Sequence, residues 1–331
     1  MRRIELAHGG GGEKGNRLVS ELFVRGFQNE ILSELEDASA IHPLAFTTDA
    51  FIVKPIFFPG GDIGKLSVAG SCNDLAVSGA KPEYLSCSFM IEEGFPYEDL
   101  ERIVESMSRE LRLNGAMIVT GDTKVVPRGQ MDGLFISTSG IGRLRRSGLG
   151  ARNLREGDAI IVSGPVGDHG AVILMKQSGT EFESSLKSDC RSLWPEIEEL
   201  LNSGVPVRAM RDVTRGGLAG ILNEWAASCG RSIQILEASV PVRDSVLAFC
   251  DILGMEPYHL ACEGTYILAV PHTETKRALT ILGDLPRNGE ASVIGVVGAE
   301  HQGPFRVTLR TAGGAERILD PPPGEFFPRI C

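Results

Sequence analysis

The chain has no run of apolar residues approaching the ~20 that a membrane-spanning helix requires. Yet apolar residues fill 42% of its 331 positions, which argues against wholesale disorder and for roughly two domains, each with its own core. The opening residues, MRRIELAHGGGG, start basic but lack the apolar block of a secretory signal. The cytoplasm is therefore the expected compartment, with no membrane partner. Positive charge is also short: 33 basic residues stand against 43 acidic ones, for a net charge of −10. No basic stripe stands out, which argues against a nucleic-acid partner. Phosphate ligands remain open, because backbone amides and a bound cation can hold them. Paired cysteines are missing too. The seven present (Cys72, Cys87, Cys190, Cys229, Cys250, Cys262 and Cys331) are odd in number and form no CxxC, so neither a disulfide framework nor a zinc site is signalled. A reducing compartment fits. The six internal ones read as small core-filling residues.

What is present alternates between strand and helix signals. Residues 41–53, IHPLAFTTDAFIV, read as a β-branched, aromatic strand carrying Asp49. The turn FFPGGD follows, and its Asp62 can cap a helix running to Gly79. Residues 84–91 read as a strand, and a second helix starts near Pro96 and ends at Gly115. AMIVTG and GLFISTSGIG complete the first half as strands. The polar, glycine-containing stretch 145–158 is the expected boundary. Beyond it, AIIVSG, SIQIL, TYILAV and SVIGVVG read as strands, with helices near 168–178, 215–229 and 242–253. This order predicts a two-domain mixed α/β (α+β) fold, each sheet with helices on one face. The expected divisions are 1–35, 36–150, 151–305 and 306–331. The last residues, ILDPPPGEFFPRIC, hold three consecutive prolines and should run extended as a tail outside the core.

Four carboxylates lie where predicted strand ends meet turns or helices: Asp49 in TTD, Asp74 in CNDLA, Asp122 in TGDTKVV and Asp212 in RDVTRGGL. Magnesium takes oxygen ligands, and such aspartates commonly share it with a nucleotide's phosphates. The plainer reading is that each caps a helix or closes a turn. The leading HGGGGEKGN offers amides that could wrap phosphates, but it lacks the GKS or GKT of a P-loop and reads equally well as a loose leader. Around Thr214 the turn-then-helix pattern could present helix-start amides to an anion, or could be a tight packing turn.

These segments together resemble the ATP-binding superfamily of aminoimidazole ribonucleotide synthetase, selenophosphate synthetase and thiamine-monophosphate kinase. Within it the chain is similar, nearly end to end, to the HypE family of hydrogenase maturation proteins. The resemblance is carried by LAHGGGG, TTDAFIVKPIFFPGGDIGKLSVAG, CNDLAVSGAKP, TGDTKVV, RDVTRGGLAG, the CEG around Glu263 and the terminal PRIC. It implies a homodimer whose N-terminal sheets pair across the interface, with ATP and Mg2+ between domains and near the partner subunit. Residues 1–35 would then include a phosphate cover at Gly9, Gly10, Gly11 and Gly12. Asp49, Asp62, Asn73, Asp74, Asp122, Thr123, Asp212 and Thr214 would line the nucleotide site, with Asp49, Asp74, Asp122 and Asp212 as metal carboxylates. Cys331, Glu263 and Lys124 would be the catalytic residues, with the last two side by side at the tail's reactive end. The family usually has Asn where Cys262 precedes Glu263, which puts the local hydrogen bonding in question.

The implied chemistry suits a terminal thiol. A partner carbamoyltransferase, HypF, would load Cys331 with a carbamoyl group, and ATP would turn its oxygen into a leaving group so that a thiocyanate remains. The cyanide would pass to a HypC–HypD complex carrying iron. About a dozen residues from Asp320 span at most roughly 40 Å, enough reach for several stations. The terminal carboxylate on the same residue should raise the thiol's pKa above its usual ~8.5 and make it sluggish. A small-molecule kinase of the same superfamily would have no use for this thiol, and a non-catalytic scaffold would bind ATP without turning it over.

Overall fold

The computed structural model describes residues 3–9, 12–27, 29–179, 184–285, 290–300, 306–322 and 329–331. The first half contributes strands β1 (Ser39–Ile41), β2 (Leu44–Phe51), β3 (Phe57–Phe58), β4 (Gly61–Asp62), β5 (Ala80–Glu92), β6 (Met117–Val126) and β7 (Leu134–Leu144). Five of them form a sheet in the order β1-β2-β7-β5-β6, antiparallel except for the parallel β5–β6 pair. Short helix α1 (Glu13–Leu18) precedes it, and α2 (Ile63–Val77) and α3 (Tyr97–Asn114) follow β4 and β5. Along β7, Leu134, Ile136, Thr138, Gly140 and Gly142 are buried in strict alternation, the period-two signature of a sheet with one covered face.

That cover is α2. Asp62 caps it, accepting Gly64 N–H at 2.8 Å and Lys65 N–H at 3.0 Å through Oδ1. Its sequence, IGKLSVAGSCNDLAV, has small or apolar residues on every side, and all but Lys65 and Asp74 are buried. A helix without a polar face must be enclosed. It packs on the sheet, on α3 through Ile103 and Met107, and on the second half of the chain.

The second half adds α4 (Asp168–Gln177), α5 (Trp194–Asn202), α6 (Gly217–Cys229), α7 (Asp244–Leu253) and α8 (Thr275–Asp284). Its strands are β8 (Ala159–Val162), β9 (Ala209–Asp212), β10 (Arg231–Leu236), β11 (Tyr266–Val270), β12 (Ser292–Glu300), β13 (Val307–Arg310) and β14 (Glu316–Ile318). They form one seven-stranded sheet ordered β14-β13-β10-β12-β8-β11-β9.

Two expectations change. Helices were expected on one face of each sheet, but β8 and β11 are buried at every position. Ile160, Val162, Ile267 and Ala269 pack with Trp225 of α6, whereas Ala159, Ile161, Tyr266 and Leu268 pack with Trp194 and Ile197 of α5. An unbroken apolar strand is the mark of a sheet covered on both sides. The tail also departs from expectation, because its last residues return to the core: Ile330 is 5% exposed. A single apolar side chain between two polar ones was too little pattern to predict that. Residues 323–328 of the expected extended tail lie outside the described residues. Among the described residues no helix is long and apolar enough to cross a membrane.

The tight seam between α2 and α3 is testable. A Cβ on Gly64 would lie 2.5 Å from the Ile103 carbonyl oxygen and 2.9 Å from Met107 Cγ. Gly64→Ala should therefore destabilise the protein by about 1–3 kcal/mol despite the better helix propensity of alanine, as read by denaturant unfolding.

Candidate functional site

Where the two halves meet, β2, α2, β9 and the loop before β11 bring acidic side chains together. Asp74 projects from α2 and accepts Thr47 Oγ1–H at 2.6 Å. Asp49, on β2, accepts Ser71 Oγ–H at 3.2 Å. Asp212 ends β9, is 3% exposed, and neither of its carboxylate oxygens has a hydrogen-bond partner among the described residues. Asp37, which the sequence reading did not single out, completes the cluster. Asp37, Asp74 and Asp212 each place an oxygen within 4.8 Å of the others, a set that could hold a metal ion. The signal available was the acidic pair Glu36-Asp37 just ahead of the first strand pair.

Burial dominates the electrostatics here. It raises the Asp74 and Asp212 carboxyls well above the usual range, and neighbouring aspartates push further in the same direction. Asp37 rises to about 6 by burial, opposed by Arg211, which bridges it at 2.9 Å to Glu224 at 3.0 Å. Buried oxygens without donors and like charges at this distance are what a hard divalent cation satisfies. The donor set fits Mg2+.

Glu263 lies in the loop ahead of β11 at 3% exposure, with Oε1 unpartnered among the described residues. Its backbone is fixed: Asp189 accepts Glu263 N–H at 3.1 Å and Gly264 N–H at 2.9 Å. Cys262, just before it, is fully buried and its Sγ accepts Gly167 N–H at 3.1 Å. Burial raises the Glu263 carboxyl well above its usual range, with Asp212 and Asp189 adding to the effect and Arg215 opposing it.

Cys331 is delivered to this site. Ile52 N–H donates to a main-chain carboxylate oxygen of Cys331 at 3.1 Å and Lys54 N–H to the Arg329 carbonyl at 3.2 Å. Arg329 Nε donates to Ile52 O at 2.7 Å, and its guanidinium also pairs with Asp132. A cavity of about 240 Å³ beside the thiol is lined by Gly9, Ala50, Ile52, Arg215, His259 and the last three residues. Burial pushes the thiol up to about 12, a hydrogen bond and charge from Arg215 oppose this, and Glu263 and Asp49 reinforce it. The expected sluggish thiol is thus matched in direction, with desolvation as the main cause in place of the terminal carboxylate.

The other sequence candidates divide. Gly9 lines the thiol's cavity and Gly12 is the residue before α1, while Gly10 and Gly11 lie outside the described residues. Asp62 is a helix cap. Asn73 joins the two halves, its Nδ2 donating to Arg191 O at 3.0 Å and its Oδ1 accepting Leu193 N–H at 2.8 Å. Thr214 accepts Gly217 N–H through its carbonyl at 2.9 Å in the turn that starts α6. Asp122, Thr123 and Lys124 sit on the exposed edge strand β6 and are not brought to the cluster within this chain. Lys124 instead pairs with Asp122 at 2.7 Å, which lowers the Asp122 carboxyl. Arg215, facing the thiol, lies within the RDVTRGGL motif, and nothing in that motif marks it as a site residue.

Comparison with known proteins gives this geometry its family. Residues 35–144 match the N-terminal domain of AIR synthase related proteins and residues 155–307 match their C-terminal domain. Carbamoyl dehydratase HypE of Rhodobacter capsulatus is 45% identical over 336 residues, covering 99% of this chain and 98% of that protein. A solved HypE–HypF complex contains a chain 41% identical with a TM-score of 0.88, covering 92% of this chain and 99% of that one. A HypE structure in complex with ATP is 44% identical with a TM-score of 0.83, covering 99% and 100%. Identity at this level along nearly the whole length leaves no other assignment: the chain belongs to the HypE family of carbamoyl dehydratases.

Proposed function

We propose that this chain carries a carbamoyl group on Cys331 and uses ATP to dehydrate it to a thiocyanate, the source of cyanide ligands for the iron of NiFe hydrogenase. The observation that carries this reading is the return of the last residues to the core, which sets the partly exposed Cys331 thiol beside Arg215, with Glu263 and Asp49 near enough to act on it. A small-molecule kinase would leave that docking without purpose. The likeness to a HypE that binds ATP and to one complexed with HypF supports ATP as co-substrate and HypF as carbamoyl donor. Release to an iron-carrying HypC–HypD complex, in the cytoplasm, completes the reading.

The chemistry follows from the residues. The carbamoyl oxygen on Cys331 attacks the γ-phosphorus of ATP, ADP leaves, and the C–O oxygen becomes part of a phosphate ester. Loss of the two N–H protons and departure of phosphate then leave S–C≡N, so that thiocarbamate and ATP give thiocyanate, ADP, phosphate and one net proton. Mg2+ held by Asp37, Asp74 and Asp212, with Asp49 beside them, would neutralise phosphate charge. Glu263 takes a proton from nitrogen: a carboxylate whose affinity for protons is raised by burial is a stronger base once the site is assembled. Arg215 offsets charge at the reacting group.

Lys124 and Asp122 enter through a second copy. Strand β6 is an open sheet edge on which Met117, Val119 and Val125 are more than half exposed, and Phe46, Tyr84 and Ile141 of the same sheet are also exposed. Such an edge invites pairing. A homodimer built on it would bring Asp122, Thr123 and Lys124 of the partner subunit towards the nucleotide, with Lys124 orienting a carbonyl or phosphoryl oxygen.

Three outcomes are expected. Val119→Glu should convert the dimer to monomers in sedimentation and remove ATP-dependent dehydration while leaving circular dichroism unchanged. Mg2+ at a hundredfold over its Kd should stabilise the wild-type protein by about 2.7 kcal/mol, and Asp212→Asn should lose most of that gain in thermal melts. Glu263→Gln should still accept the carbamoyl group from HypF yet dehydrate it roughly 10²–10⁴-fold more slowly, so that intact-mass spectra with ATP show the carbamoylated chain accumulating. Absence of carbamoylation at Cys331 in the wild-type protein would sink the function itself.

A further inference from the structure

The reaction needs the thiol both mobile and accurately placed, and one buried histidine outside the acidic cluster bears on the second requirement. His169, in the first turn of α4, is fully buried. Its Nε2 lies 2.9 Å from the carbonyl oxygen of Ile330, the residue before Cys331. Its Nδ1 lies 2.7 Å from Ser188 Oγ. A carbonyl oxygen can only accept, so Nε2 carries the hydrogen, and Ser188 must then donate to Nδ1. Ser188 Oγ in turn accepts Cys190 N–H at 3.0 Å. The polarity of the chain is fixed from end to end, from Cys190 N–H through Ser188 to the ring and on to the tail.

The ring has little freedom to do otherwise. Phe58 packs edge-on against it, with centroids 5.4 Å apart and planes at 86°. Gly170 N–H donates to Ala261 O at 2.8 Å, tying the first turn of α4 to the segment that carries Glu263. Ser188 N–H donates to Pro59 O at 2.8 Å, which ties the hydroxyl to the first half of the molecule. Burial holds the imidazole below its usual pKa and keeps it neutral.

We infer that His169 is a positioning residue for the dehydration step, holding Ile330 by its carbonyl so that Cys331 meets Arg215 and Glu263, with Ser188 fixing the tautomer that can do this. The inference rests on the reading of Cys331 as the carbamoyl carrier. Backbone N–H groups of Ile52 and Lys54, from the first half, hold a carboxylate oxygen of Cys331 and the Arg329 carbonyl, which Gln177 Nε2 of α4 also reaches at 3.4 Å. Among the described residues His169 supplies the hold on Ile330 itself, from the second half, so the tail end is fixed between both. Loss of the hold on Ile330 loosens the residue next to the thiol, and small misplacements of a reacting group cost orders of magnitude in rate. Undocking for carbamoyl transfer leaves a buried N–H without its acceptor, which favours return of the tail afterwards.

The test uses full-length protein and two readouts: the rate of iodoacetamide labelling at Cys331 without ATP, by peptide mass, and the single-turnover rate of thiocyanate formation as ATP is varied. His169→Leu removes the donor, His169→Gln restores one, and Ser188→Ala leaves the ring but frees its tautomer. His169→Leu should label about tenfold faster or more and dehydrate about tenfold more slowly or worse, with half-saturating ATP unchanged and carbamoylation by HypF undiminished. His169→Gln should recover most of both losses, and Ser188→Ala should fall between, which a purely structural role would not produce. If His169→Leu does not fold, Ser188→Ala decides. Wild-type labelling and dehydration rates in the folded variants would overturn the inference. Failure of the wild-type protein to carry a carbamoyl group at Cys331 would instead overturn the functional reading, and the labelling contrast would still decide the clamp.

Discussion

Helix α2 has almost no side that faces water, and both halves of the molecule are arranged around that constraint. Its small and apolar residues can be satisfied only by enclosure, so the five-stranded sheet covers one side, α3 another, and the second domain the rest. Enclosure in turn fixes where its polar residues point. Asn73 is spent on the joint, bonding Arg191 O and Leu193 N–H. Asp74, one residue on, is left facing the acidic cluster. The scaffold and the site therefore share one element, which lets a site lie between domains without being loose.

Concentrating carboxylates there works against folding. Asp37, Asp74, Asp212 and Glu263 all have their proton affinities raised by burial before any interaction with one another is counted. Arg211 and Arg215 compensate in part, and acidic neighbours favour the charged form of both. The remaining deficit of positive charge is what would suit the cluster to a cation. The same desolvation that costs stability raises the proton affinity of Glu263, in the direction the proposed base role needs.

The tail resolves a conflict between reach and placement. Its proline-rich sequence disfavours a helix, and its length is the reach that the sequence offers. Its last three residues carry enough specific bonding to dock: main-chain oxygens to backbone N–H groups and to His169, the Ile330 side chain in the core, and Arg329 stacked 5.3 Å from Phe135 and paired with Asp132. In this position burial pushes the thiol up to about 12, which disfavours the thiolate there.

Local pattern was enough for most elements. The capped start at Asp62, the stop at Gly115 and the apolar runs AIIV and YILAV each reflect interactions within a few residues, which the chain carries in its own order. The motifs around Asp49, Asp74, Asp212, Glu263 and Cys331 were legible for the same reason, as short segments of unusual composition. Their convergence was not, because it depends on the crossing of two sheets about α2, and nothing local encodes such distances. Asp37 was missed since an acidic pair before a strand has no distinctive spacing. His169 and Ser188 were missed since GDHG and LKSD read as ordinary turn sequences. Two-sided cover of the second sheet and the return of Ile330 to the core likewise come from packing partners far away in sequence. Residue types and their local order were thus determined by the sequence alone; which of them share a buried, poorly solvated space was decided by the tertiary structure, because burial, charge and hydrogen-bond polarity act through space and not along the chain.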